Sequence, residues 1–272
     1  MSHVKFVVQT LPRCGAGVVM SALQQHPQCE AHGCVFAGDS QEAADLLREA
    51  ANWRDVFNRH TEPPAVAGAT ASGFIAYCVP QSLQMGLGVR WEWSTTLWQY
   101  LGDKGRDEAK IVRIWREDPI ARAISVMFAI HTGTRSVRDM TSAARMYVAN
   151  HPVISINAAV FRQLLDEWEQ SAAMPQLPGE RLQINYEMLL INWSAELSRL
   201  QQFLGLDVQE LRPQLAKMGK LPPHTFVENW DILVESFRNT RYEGYFDKYR
   251  DYFAPQYARV AKLREAAAAR RQ

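Results

Sequence analysis

The chain has 272 residues, 47% of them hydrophobic and 22% charged, with 30 Lys and Arg against 29 Asp and Glu. A net charge of +1 argues against nucleic acid or an anionic membrane as partner, so any anionic ligand must be held by a few placed residues. Four cysteines without zinc-ligand spacing argue against a disulfide framework, and no run reaches the roughly 20 apolar residues of a membrane span. A reduced cytoplasmic setting follows as the expectation, because thiols persist there and the N-terminus lacks the order of a targeting signal.

Residues 4–9 read as a buried strand, which leaves through Pro12-Arg13-Cys14-Gly15-Ala16-Gly17 into a helix over about 16–25. His26-Pro27 stops that helix, since proline pushes its predecessor out of the α region. An amphipathic helix is expected over 41–58, a loop over 61–72 and a second strand over 73–79. An aromatic-rich helix over 91–101 precedes a third strand, KIVRIW, at 110–115. Helical periodicity returns over 120–130 and about 160–171, and RLQIN at 181–185 is a fourth strand. A helix over 194–204 ends at Gly205, and an Ala- and Arg-rich helical tail is expected over 257–272.

Short apolar strands alternating with helices predict one α/β domain over 1–272, P-loop-like and three-layered, with a central mostly parallel sheet flanked by helices. Ligands of such sheets bind beyond the carboxyl ends of the strands. Both 11–17 and 116–120 fall at such ends. In the first, backbone amides of a glycine-containing turn, the N-terminus of the next helix and Arg13 could hold an anion. The competing reading is a plain strand–helix connection whose glycines only allow close packing. In the second, Arg116 and Ser125 could pinch another phosphate, or they could be a surface arginine and a helix serine bonded to its own backbone.

Together the two stretches resemble a known family. PRCGAGV after a strand, followed by a helix and His-Pro, is similar to the 5′-phosphosulfate loop of sulfotransferases. KIVRIWREDPIARAISVMFA resembles their 3′-phosphate segment, and ISVMFAIHTG is similar to the bacterial trehalose-sulfotransferase-like group. INYEMLLINWSAELSRLQQFLGL resembles a further region of the superfamily, so the likeness touches most of residues 4–206. It implies a co-substrate, 3′-phosphoadenosine 5′-phosphosulfate (PAPS), and no metal. Arg13, Cys14, Gly15, Ala16, Gly17 and Val18 would hold the phosphosulfate, with Arg13 also stabilising the departing phosphate; Arg116 and Ser125 would hold the 3′-phosphate. The acceptor would be a hydroxyl or amine of a small molecule, lipid or glycan.

The chain departs from that pattern at Ala16-Gly17, where relatives carry hydroxyl residues, and at Cys34, where they often carry a glutamate that serves as base. His32 and Glu30 are the neighbouring candidates for that role. These departures keep open a catalytically silent, nucleotide-binding sulfotransferase fold. A P-loop kinase is the third reading, although the loop lacks the Gly-Lys-Ser/Thr ending that binds phosphate and magnesium. Trp91, Trp93 and Trp98, and the segments 220–230 and 237–245, offer aromatic surface for core or acceptor wall. His131, His151 and His224 are scattered and read as structural or surface residues. The oligomeric state is left open, a homodimer being one option.

Overall fold

In the computed structural model, the described residues are 3–34, 58, 61, 68–77, 109–132, 153–173, 179–213 and 226–250. The helices expected over 91–101 and 257–272 lie outside them, as do all of the helix expected over 41–58 but Asn58, together with Cys78, His151, residues 214–225 and the side chain of Cys34. No described helix is long and apolar enough to cross a membrane.

Five strands form one parallel sheet: β1 (Val4–Thr10), β2 (Cys29–Cys34), β3 (Ala71–Tyr77), β4 (Lys110–Trp115) and β5 (Arg181–Asn185). Their order is β2-β3-β1-β4-β5. This matches the expected α/β sheet, with two differences. β2 was not anticipated, because CEAHGC offers only Cys29 and Ala31 to the core and carries charge between them. β3 starts two residues early, at Ala71, because small residues here serve close approach. A Cβ on Gly73 would stand 2.2 Å from the carbonyl oxygen of its register partner Phe6.

Two compact units divide the chain. The first comprises residues 1–117, 136–138 and 167–216 and contains the whole sheet. One sheet face presents Phe6, Val8, Val112, Ile114 and Ile184. Val19, Met20 and Leu23 of α1 (Ala16–Leu23) and Leu197, Leu200 and Leu204 of a later helix share that core. Side chains alternate across a strand, so Arg113 and Trp115 point to the opposite face. There the last turns of helix 158–172 meet them: Trp168 lies 5.2 Å from Trp115, and the Ser171 carbonyl accepts from Arg113 at 3.1 Å. Helices therefore cover both faces, as expected for parallel strands.

Helix α1 stops two residues short of expectation. The Gln25 and His26 amides turn back three residues, to the Ala22 and Leu23 carbonyls, which tightens the last turn. The second unit, residues 118–135, 139–166 and 217–272, begins with α2 (Pro119–Thr132). Pro119 takes the first helical position while the Asp118 carboxylate accepts from the Ala121 amide at 2.9 Å. α3 (Ala158–Ala172) is capped likewise by Asn157. Phe161, Trp230, Phe237 and Phe246 form an aromatic core in this unit, with Phe237 and Phe246 stacked at 5.3 Å. Phe237 and Tyr242, offered above as acceptor wall, are buried there.

Candidate active site

β1 lies at the centre of the sheet. The chain leaves it for β2 on one side, whereas it leaves β4 for β5 on the other. Adjacent strands whose connections diverge open a crevice at their carboxyl ends, the position where α/β sheets bind ligands. Thr10 Oγ1 ties the two ends together by donating to the Ile114 carbonyl at 2.9 Å.

The loop after β1 has the backbone conformation in which an anion could be held. Backbone φ is 71° at Arg13 and 94° at Gly15, and positive at neither Cys14 nor Ala16. Alternation of this kind turns successive amides toward one side, the geometry of an anion nest. Cys14 is fully buried against Leu11, Trp115 and Trp168 and anchors the loop, and its amide donates to the Leu11 carbonyl at 3.3 Å. Ala16 and Gly17 open α1, where the first amides lie outside the intrahelical ladder and the helix dipole is positive. The Val18 and Val19 amides already bond the Gly15 carbonyl, at 3.1 and 3.3 Å.

Arg116 stands at the end of β4 with its side chain 11% exposed. Its carbonyl accepts from Trp168 Nε1 at 2.8 Å, which fixes the backbone. Its guanidinium lies 4.8 Å from the centre of the Tyr186 ring, and Nη1 lies 3.5 Å from the Arg13 carbonyl oxygen. The two arginine-bearing loops are thus neighbours. Tyr186 also underlies the first loop: a Cβ on Gly15 would come within 2.4 Å of its ring. Glu187 accepts from the Glu117 amide at 3.1 Å and places its other oxygen 3.9 Å from Arg116 Nε, which has no hydrogen-bond partner among the described residues.

Tyr186 and Glu187 begin α4 (Tyr186–Ile191), directly after β5. Asn185 caps this helix, accepting from the Glu187 and Met188 amides at 2.8 and 3.2 Å. Sequence reasoning quoted this stretch for its resemblance but gave neither residue a part in the site. Its only local signal was an Asn-Tyr-Glu step from strand to helix.

The structure brings Arg13 and Arg116 together, while Ser125 is half-buried on α2 in the second unit. Glu30 and His32 share one side of edge strand β2, with Glu30 Oε1 3.4 Å from His32 Nε2. The register sets Glu30 level with Ser72 and Lys5, at the start of β1, so the pair stands lower than the loop. Glu30 Oε2 is buried without a hydrogen-bond partner among the described residues.

No protein-family model matches the chain, and no curated protein matches it. Solved structures do. A sulfotransferase from Alicyclobacillus acidocaldarius is similar over 97% of this chain and 96% of its own, at 16% identity and a TM-score of 0.44. The sulfotransferase domain of the Synechococcus PCC 7002 olefin synthase is similar over 93% and 90%, at 16% identity and 0.39. Mouse sulfotransferase SULT7A1, complexed with PAP, is similar over 77% and 60%, at 16% identity and 0.37.

Proposed function

We propose that the chain, acting over 1–272 as one catalytic domain, is a PAPS-dependent sulfotransferase. It would move the sulfuryl group to a hydroxyl or amine of a small-molecule, lipid or glycan acceptor and release 3′,5′-ADP. The observation that carries this reading is the meeting of two arginine-bearing loops at the carboxyl ends of β1 and β4, with Arg116 Nη1 3.5 Å from the Arg13 carbonyl.

The nest amides and Arg13 would hold the 5′-phosphosulfate and stabilise charge on the departing phosphate. Arg116 would hold the 3′-phosphate, with Ser125 as the second ligand implied by the sequence resemblance. As the acceptor oxygen bonds to sulfur, the bond from sulfur to the phosphate oxygen breaks and the acceptor proton passes to a base. Glu30 and His32, 3.4 Å apart on β2, are the two candidates for that base, although their strand positions lie level with the start of β1. His32→Ala should lower kcat by about 100-fold or more and leave 3′,5′-ADP binding unchanged. An unchanged kcat would remove His32 from the mechanism.

The deciding experiment is a thermal-shift screen of 3′,5′-ADP, ADP and ATP with magnesium. 3′,5′-ADP should stabilise the protein at micromolar concentration, and Arg116→Ala should abolish the shift. No shift at millimolar 3′,5′-ADP overturns the proposal, and a shift with ATP and magnesium alone favours a kinase. Ala16, buried and without a hydroxyl at the start of α1, favours the silent alternative. Tight 3′,5′-ADP binding without turnover over a broad acceptor panel would establish that second reading.

A further inference from the structure

We infer that Glu187 is a positioning residue for Arg116. The nucleotide arm of its test rests on the sulfotransferase reading; the geometry does not. A carboxylate beside a phosphate-binding arginine is at first sight counterproductive, because it competes with the anion and adds like charge. The contacts explain its presence. One oxygen is committed to the Glu117 amide at 3.1 Å, the residue immediately after Arg116. The other faces Arg116 Nε at 3.9 Å, too far for a hydrogen bond and close enough to orient the guanidinium. The Tyr186 ring supports the same guanidinium at 4.8 Å.

Arg116 is thereby held by an aromatic plane and by charge at its Nε edge, while Nη1 reaches the loop carrying Arg13. A guanidinium restrained before the ligand arrives loses less rotamer entropy on binding. Glu187 is itself fixed, because its amide is bonded by Asn185 at 2.8 Å. The post-β5 helix thus sets the post-β4 arginine.

The experiment is Glu187→Gln. Glutamine keeps an acceptor for the Glu117 amide but turns a donor and no charge toward Arg116. Charge alone predicts that losing a carboxylate tightens anion binding; positioning predicts weaker binding. Two readouts are taken on the folded full chain. In 15N NMR of arginine side chains, with Arg116 assigned by its loss in Arg116→Lys, the wild type should show slow rotation about Nε–Cζ. Glu187→Gln should show averaging. By calorimetry, 3′,5′-ADP affinity should fall about tenfold in Glu187→Gln.

An unchanged Arg116 signal in Glu187→Gln overturns the inference whether or not nucleotide binds. Unchanged or tighter 3′,5′-ADP binding in the variant overturns it too and leaves the sulfotransferase reading standing. If wild type binds no 3′,5′-ADP while the NMR change occurs, the sulfotransferase reading fails and the positioning role stands.

Discussion

Gly15 meets two separate demands. Its φ of 94° is one that a side chain makes costly, and the space where a Cβ would go is filled by the Tyr186 ring. Gly15→Ala should therefore lose about 1–3 kcal/mol, read as a lower Tm, and push Tyr186 away from Arg116. A further consequence should be weaker 3′,5′-ADP binding; full affinity in Gly15→Ala would show that the ring does not support the site. At this scale the sequence was only partly legible. Arg13 and Arg116 could be singled out because each follows an apolar strand. Tyr186 could not, because nothing local tells a reader that a ring after the last strand lies under a glycine after the first.

At the scale of elements, legibility followed large apolar side chains rather than burial. β1 and β4 are rich in large apolar residues and β5 alternates Leu182 and Ile184 with polar residues, and all three were recognised, whereas β2 and the first residues of β3 are built from small or polar residues and were not. Helix starts show the same contrast: Asp118 and Asn157 cap α2 and α3 with short side chains that also suit turns, so they moved both boundaries relative to the periodicity. α4 is the element whose start matters most, since its first two residues face the site. Asn185→Ala should cost about 1 kcal/mol in urea unfolding and weaken 3′,5′-ADP binding as well. If stability falls and binding does not, the cap serves the helix alone.

At the scale of the whole molecule, the crevice is a property of strand order, and order is not written in any one segment. Periodicity identifies strands but does not say that β1 lies between β3 and β4; only the long-range pairing does. Global stability should also carry one pH signature. Burial, aided by the adjacent Glu30 charge, pushes the Cys29 thiol from 9.0 up to about 12. The unfolded chain then ionises this thiol at lower pH than the folded one. Stability is intact below 9.0 and lost as pH rises toward 12, at up to about 1.4 kcal/mol per pH unit. Urea midpoints measured across that range should fall more steeply in wild type than in Cys29→Ala; equal slopes would remove Cys29 as the cause.

Arg13 occupies the left-handed region with φ at 71° although it carries a full side chain. Such a placement costs about 1–2 kcal/mol, a debt that glycine would cancel at the expense of some unfolded-state entropy. Arg13→Gly should thus match or exceed wild type in Tm while losing nucleotide affinity. A selection for thermostability alone would accept glycine at position 13 and erase the charge from the loop, so the two traits pull this single codon in opposite directions.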